Sequence, residues 1–436
     1  MTKLLRWKKA SAIVNPKRFS LSAIYWLVPL LITPIFLGSA FAQHELVLHS
    51  FSDSEGFFPY SGLVSDNAGN LYGTTLNGGP GAGTIYMLSP PGTSGTGWTE
   101  SVIYRFGGSD GSSPYGTLTI DNAGNLYGTA DAGGSANCLG GCGLVYELSP
   151  PVAPGENWEQ NVLYMFGGGS DGFSPEGGVV LNHSGNLLGT TEHGGLYDAG
   201  TVFDLSRPTL PGGSWTKTSL WDFTGGKDGS TPGVESLVSD GLGHIFSTTY
   251  FGGDFGGGTV FVLAQTSGVW NETVLHSFGQ DTDGANPTAG LVRTKSGALA
   301  GTTQMGGPEG LGTAFALTPP SQQGGEWIYT VLHYFGSFEG DGWTPQGPLT
   351  VGNRGLYGTT LQGGLSDPLG TIYELMPVNG NWVERILYDC VPTSSNPYSG
   401  VLIHNGSLFG TFGAGGVNGE GAVYQLILST VPESPQ

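Results

Sequence analysis

Glu192 and His193 stand side by side where an otherwise repetitive chain breaks its own pattern. A histidine beside a carboxylate can be a tuned proton-transfer group, because its charge changes near neutral pH. Glu176 and Asp198 lie nearby in the chain. Two of these carboxylates could pair as the acid and base of glycoside hydrolysis, at a separation the mechanism fixes. Aromatic residues are interleaved with them. Phe57, Phe58, Tyr60, Tyr115, Phe173, Trp343 and Tyr398 occupy one class of loop; Tyr197, Tyr250 and Phe251 occupy a second, beside Asp254. Rings next to carboxylates bind sugars by stacking on apolar faces and hydrogen-bonding hydroxyls. Tyr60, Tyr115, Phe173, Tyr197, Tyr250, Trp343 and Tyr398 are therefore the expected ligand-binding set, and Glu176, Glu192, His193 and Asp198 the catalytic candidates. The bland alternative is that the rings pack against neighbouring loops and the histidine is solvated. No G-x-S-x-G elbow, P-loop or H-E-x-x-H motif is present.

A second motif recurs as Asp-Gly-x-x-Pro at Asp110, Asp171, Asp228, Asp283 and Asp341. Five carboxylates on one face could ring a hard cation such as calcium. Asp before Gly also stabilises a turn through its own backbone, and a recurring turn is the simpler account. No loop has EF-hand spacing, so calcium has no specific support and no cofactor or metal site is predicted. His49, His276 and His333 share one strand position with Tyr104, Tyr164, Trp221 and Tyr388, an aromatic interchange that predicts packing and not metal binding.

The elements that must position these residues come from a phrase, G-N-L-Y-G-T-T. Its degraded copies occupy residues 69–75, 124–130, 185–191, 243–249, 297–303, 355–360 and 406–412. The units are about 55–60 residues long, a period typical of repeat architectures. Within each unit four short apolar segments are punctuated by Gly, Pro, Asn or Asp, the signal for antiparallel strands. In the fifth unit these are expected at 289–293, 298–303, 312–317 and 327–335. The last segment begins with tryptophan and ends eight positions later with phenylalanine, as in Trp98 and Phe106 or Trp327 and Phe335; in the sixth unit Cys390 replaces the phenylalanine. The chain from residue 44 opens on a fourth strand without partners and closes near 426 on a third strand without a successor. The two ends complement each other, which predicts a closed all-β ring: a seven-bladed β-propeller with four antiparallel strands per blade, the N-terminal strand completing the last blade. An open solenoid would need caps instead.

The combined phrases G-N-L-Y-G-T-T, G-G with a short spacer and G-T-V-F-x-L resemble the GloVer-type tandem repeat proteins of bacteria, over about residues 46–428. The resemblance implies an exported protein in an envelope or extracellular setting and transfers no catalytic residue. Many such proteins carry a C-terminal surface anchor; only residues 429–436 follow the repeats here, so no C-terminal anchor is expected.

Residues 1–42 differ in kind. A basic lead, Lys3 to Arg18, precedes an apolar run and Ala40-Phe41-Ala42, which predicts a cleaved secretory signal and a propeller over 43–428. Pro29 and Pro34 argue against a stable membrane span. Without that segment eight basic residues face 34 acidic ones, a charge of −26 with histidines neutral. Such a surface repels nucleic acid, leaving neutral carbohydrate or a cell-surface protein as expected partners of a monomer. Cys138 and Cys142 are expected to close a small disulfide loop in an oxidising compartment. A two-cysteine metal site is the alternative, without a second pair or adjacent histidine to support it, and Cys390 is expected to be a buried free thiol.

Overall fold

The computed structural model describes residues 44–79, 81–92, 97–153, 155–210, 212–233, 237–322, 324–365 and 368–428. The expected signal (1–42) and tail (429–436) lie outside them. Seven antiparallel sheets follow one another around a ring, four strands to a blade, with the loop segment Ser230–Pro232 pairing as an extra strand in blade 4. Blade 1 comprises Val64–Ser65, Leu71–Thr75, Thr84–Ser89 and Thr99–Arg105. Blade 7 comprises Leu402–His404, Ser407–Phe412, Ala422–Ile427 and, as its outer strand, His44–Ser50 from the other end of the chain. Glu45 lies opposite Leu426 and Val47 opposite Tyr424 in that closing pair. The seven-bladed propeller and its closure are as expected. The innermost strands are shorter than expected: blade 5 has Val292–Arg293 rather than 289–293. The preceding residues converge on the axis, where a Cβ on Gly116 would sit 2.4 Å from the Gly178 nitrogen and one on Gly347 2.3 Å from the Gly400 nitrogen. Backbones that close leave no room for a regular ladder. Among the described residues no helix is long and apolar enough to cross a membrane.

Every residue of the repeated phrase has a separate physical task, visible in blade 1. Gly69 takes the left-handed turn at φ 85°. The Asn70 side chain donates to Asp66 Oδ2 at 2.7 Å, and the Tyr72 hydroxyl donates to the same carboxylate at 2.9 Å. Leu71 packs backwards against blade 7, Tyr72 forwards against blade 2. Gly73 lies beneath the third-strand ring, where a Cβ would meet the Tyr86 hydroxyl at 2.4 Å. Thr74 Oγ1 donates across to the Pro114 carbonyl of blade 2 at 2.7 Å. Thr75 Oγ1 pairs with Thr84 Oγ1 within the blade at 2.7 Å. The Thr74 bond recurs at five more junctions, from Thr129, Thr190, Thr248, Thr359 and, across the ring closure, Thr411 to Ser61.

The core is not a central mass but seven wedges, one between each pair of neighbouring blades. In six wedges the phenylalanine ending an outer strand meets the third-strand ring of the next blade edge-on: Phe51 on Tyr86, Phe106 on Tyr146, Phe166 on Phe203, Phe223 on Phe261, Phe278 on Phe315 and Phe335 on Tyr373. Their centroids are 4.8 to 5.4 Å apart. Just before each phenylalanine the outer strand slips register by one residue, as between Ile85 and Tyr86. The extra residue is Ile103 there, and it turns into the wedge.

The seventh wedge is packed differently. Cys390 replaces the phenylalanine, and Phe412 stands where a threonine ends the phrase. Phe412 stacks on Tyr424 at 4.3 Å and fills the volume the cysteine leaves. Restoring the consensus at one position alone is therefore predicted to destabilise. Cys390→Phe overpacks the wedge by about 1–3 kcal/mol, and Phe412→Thr leaves a cavity costing about 3 kcal/mol. The double variant should recover most of the loss, with a coupling of about 2 kcal/mol in chemical denaturation. Additive losses would disprove the exchange of volume.

Candidate functional site

An antiparallel meander puts the loops from outer to inner strand and those between second and third strands on one face. Here the two sets pair: Phe57 with Asn77, Ser112 with Ala132, Phe173 with His193, and Gly342–Trp343 with Gln362–Gly363. One residue in each leading loop is locked in the left-handed region immediately before a proline: Phe58, Ser113, Ser174, Thr231, Asn286, Thr344 and Asn396, at φ 54 to 59°. These conformations persist because both backbone groups are held. The Asn286 N–H donates to the Gly257 carbonyl of the preceding blade at 2.7 Å, and its carbonyl accepts from the Gln304 N–H at 3.0 Å. The loop face is thus pinned to the preceding blade by backbone hydrogen bonds.

The residue after each of these prolines is Tyr60, Tyr115, Glu176, Gly233, Thr288, Gln346 and Tyr398 in turn around the ring. Tyr60 stacks on Tyr398 at 4.5 Å, and Tyr115 meets Tyr60 at 6.1 Å and Tyr398 at 5.8 Å. Tyr115 and Tyr398 belong to blades 2 and 7, with blade 1 between them. Rings from non-adjacent blades can touch only over the central channel, so this repeat position faces the axis. Phe58 extends the group by stacking on Tyr60 at 5.5 Å. Gly413, where a Cβ would lie 2.6 Å from Tyr60, makes room for that ring. The channel mouth thus has an aromatic arc on blades 7, 1 and 2, and polar residues with a gap at Gly233 on the rest. Thr288 Oγ1 is buried there without a protein hydrogen-bond partner. Burial raises the Tyr60 hydroxyl pKa, which keeps it a donor.

The other expected site residues are dispersed. His193 Nε2 lies 3.7 Å from Glu192 Oε1, and its ring tilts on Phe173 at 5.2 Å. Asp131, which the sequence reading missed, joins this pair: burial pushes its carboxyl pKa up, a hydrogen bond from Ser174 opposes that, and Glu192 adds to it. The signal was available, since Asp131 follows the second-strand phrase of blade 2 just as Glu192 follows that of blade 3. Asp198 does not join them. It turns at φ 60° and accepts from the Gly194 N–H at 3.2 Å. Tyr250 donates to Gln304 Oε1 at 3.0 Å and Trp343 Nε1 to Gln362 Oε1 at 2.8 Å, while Tyr197 is 61% exposed. Of the seven expected rings, three converge on the axis.

The Asp-Gly carboxylates turn inward to their own loops. Asp110 accepts from the Gly107 N–H at 2.7 Å and from the Tyr104 hydroxyl at 2.5 Å; Asp171 accepts from Gly167 at 2.7 Å and Tyr164 at 2.8 Å. His276 and His333 stand in for the tyrosine against Asp283 and Asp341, at 3.0 and 3.1 Å. These four rings pack edge-on against the following phenylalanine, as expected, and are in addition hydrogen-bonding partners of the turn. Cys138 and Cys142 form the expected disulfide beside this rim, and Cys390 is a buried thiol.

Glu272 lies close to Asp228 at the junction of blades 3 and 4. Burial, and then the Asp228 charge, push its pKa from 4.5 up to about 7. The folded state thus holds this proton more tightly than the unfolded chain, so stability falls as pH rises from 4.5 through 7. Glu272→Gln is predicted to match wild type near pH 4 and to exceed it above pH 7. The gain should not pass about 1–2 kcal/mol, because the group is half exposed. Unfolding free energies measured across that window check both the sign and the position of the change.

The fold has known counterparts. The extracellular domain of a B. thetaiotaomicron protein described as a hybrid two-component system aligns with TM-score 0.52 and 12% identity, over 90% of this chain and 44% of that one. The same domain, described as part of a one-component system, gives 0.51 and 14%, over 90% and 43%. A Bacteroides uniformis protein provisionally named a 6-phosphogluconolactonase gives 0.48 and 13%, over 75% and 83%. These likenesses concern the fold alone. None of the curated proteins matches in sequence. The Gloeobacter/Verrucomicrobia repeat matches residues 38–155 and 135–330, together 293 of the 436 residues. The chain belongs to the Gloeobacter/Verrucomicrobia repeat family.

Proposed function

We propose that this β-propeller is a non-catalytic binding module of the cell envelope or its exterior, holding a neutral saccharide at the loop-face channel mouth. The observation that carries this reading is the convergence of Tyr60, Tyr115 and Tyr398 from three blades onto the axis. Half-buried tyrosines offer flat apolar area at little conformational cost and a hydroxyl at the edge. Glu176, Thr288 and Gln346 share their repeat position across the mouth and supply the mixed donors and acceptors that sugar hydroxyls need. The net charge of −20 favours a neutral ligand over a polyanion. The Cys138–Cys142 disulfide and the N-terminal signal pattern support an oxidising compartment.

Neutral oligosaccharides on a glycan array are expected to retain the protein, with no product released. Tyr60→Ala and Tyr398→Ala should each weaken binding about tenfold, equivalent to about 1.4 kcal/mol, while Tyr197→Ala should not. Retention of no neutral glycan, or wild-type affinity in both tyrosine variants, refutes the proposal. A second reading rests on the grouping of Asp131, Glu192 and His193. If these residues cleave the bound sugar, product appears with wild type and is lost in Asp131→Asn and Glu192→Gln, with binding kept.

A further inference from the structure

The rim repeats a three-residue junction between neighbouring blades. Its members are the outer-strand residue two before the terminal phenylalanine, the acid of the following loop, and the residue two after the tryptophan of the next blade. Between blades 1 and 2 the third member is Gln160, whose amide donates to the Asp110 carbonyl at 2.9 Å. Between blades 2 and 3 it is Lys217, with Nζ 3.1 Å from Asp171 Oδ1 and its side chain 6% exposed. Between blades 4 and 5 it is Tyr329, whose ring stacks on His276 at 3.9 Å and whose hydroxyl donates to the Asp283 carbonyl. Each brings a donor, and in one case a positive charge, to the acidic loop.

Between blades 5 and 6 the third member is instead Glu384, against His333 and Asp341. His333 Nε2 lies 3.1 Å from Asp341 Oδ2 and 3.4 Å from Glu384 Oε2, and the three side chains are 11%, 0% and 1% exposed. One ring nitrogen carries one proton at most and cannot satisfy two carboxylates. Asp341 Oδ2 also accepts from the Ser337 N–H at 2.8 Å and from its hydroxyl at 3.2 Å. Neither oxygen of Glu384 has a hydrogen-bond partner. Two buried carboxylates with one shared donor must either hold an extra proton, as burial and then the Asp341 charge favour by pushing the Glu384 pKa up to about 10, or hold a positive ion between them.

We propose that His333, Asp341 and Glu384 bind one divalent transition-metal ion of the zinc class. Ligand atoms on a tetrahedral shell of about 2.0–2.2 Å stand about 3.3 Å apart, and the histidine-to-carboxylate distances of 3.1 and 3.4 Å match that edge. The donor atoms of all three residues lie within 4.8 Å of one another. Imidazole with carboxylates suits zinc or manganese, whereas calcium prefers an all-oxygen shell. The Ser337 bonds orient Asp341 as an outer support does at such centres. The ion would occupy the role that the Lys217 ammonium fills between blades 2 and 3. His49, Glu55 and Glu100 repeat the donor set between blades 7 and 1, but the first two side chains are 19% and 30% exposed, so this copy is the weaker.

The test uses the full chain, stripped with a chelator and dialysed against zinc in excess calcium, with bound metal counted by mass spectrometry. Wild type is expected to hold a tightly bound zinc that Glu384→Gln weakens at least tenfold. Glu384→Lys copies the junction of blades 2 and 3. It should fold, lose that zinc, and keep a Tm indifferent to chelator, whereas chelation lowers the Tm of wild type. The proposal is overturned if wild type retains no zinc, if calcium displaces it, or if the tight ion survives Glu384→Gln and leaves with Glu100→Gln.

Discussion

Closure of the ring is the constraint on which the rest depends. A four-stranded blade of this chain is apolar on both faces, so each buries its surface only between two neighbours. Leu71 faces blade 7 and Tyr72 faces blade 2, and successive residues of the other second strands divide in the same way. Seven wedges must therefore be of nearly equal angle and volume, or the last pair would not meet. The outer strand His44–Ser50 completes blade 7 and removes the exposed edges that an open array would present. The Cys390 and Phe412 exchange belongs to the same requirement, since the wedge keeps its volume while two residues trade size.

The same constraint explains why the repeated phrase tolerates so little change, and where it does change. Its glycine is needed because the third-strand ring lies across it: Gly73, Gly128, Gly358 and Gly410 sit beneath Tyr86, Tyr146, Tyr373 and Tyr424. Blades 3 and 5 keep the glycine beneath Phe203 and Phe315, where a Cβ would lie 2.5 and 2.9 Å from the ring, while blade 4 carries Ser247 against Phe261. The in-blade threonine pair is absent from blade 2, where Ala130 lies opposite Leu144, both fully buried. In blade 2 the partner has changed with the residue, so that substitution is a matched pair.

This division between shared and private tasks also decides what was legible in the sequence. Blade number, strand phase, the closing strand and the Cys138–Cys142 bridge could be read because they follow from period, spacing and turn chemistry. Which rings would meet could not, because Tyr60, Tyr115 and Tyr398 are separated by 55 and 283 residues and converge only through the curvature of the ring. Trp343 and Tyr197 occupy loops on the same face and look equivalent on paper, yet one donates to Gln362 and the other is exposed. The interchange of His333 with Tyr104 and Tyr164 was visible, but its reason was not. The carboxylate that unites them is six to eight residues away along the chain, and the third partner is some 50 residues further.

Positions in this repeat thus fall into three kinds. Positions between blades are fixed by packing. Rim positions vary more: Gln160, Lys217 and Tyr329 each donate to the loop, whereas Glu100, Glu272 and Glu384 set a carboxylate against the acid they meet, most deeply buried at Glu384. Axial positions lie outside the wedges, and the packing rule shared by all the repeats does not fix them. The three tyrosines occupy consecutive blades, 7, 1 and 2, and touch one another across the closure of the ring. Their mutual contacts give three separate repeats the same reason to carry the same side chain, and the closing strand is what holds those three blades in register.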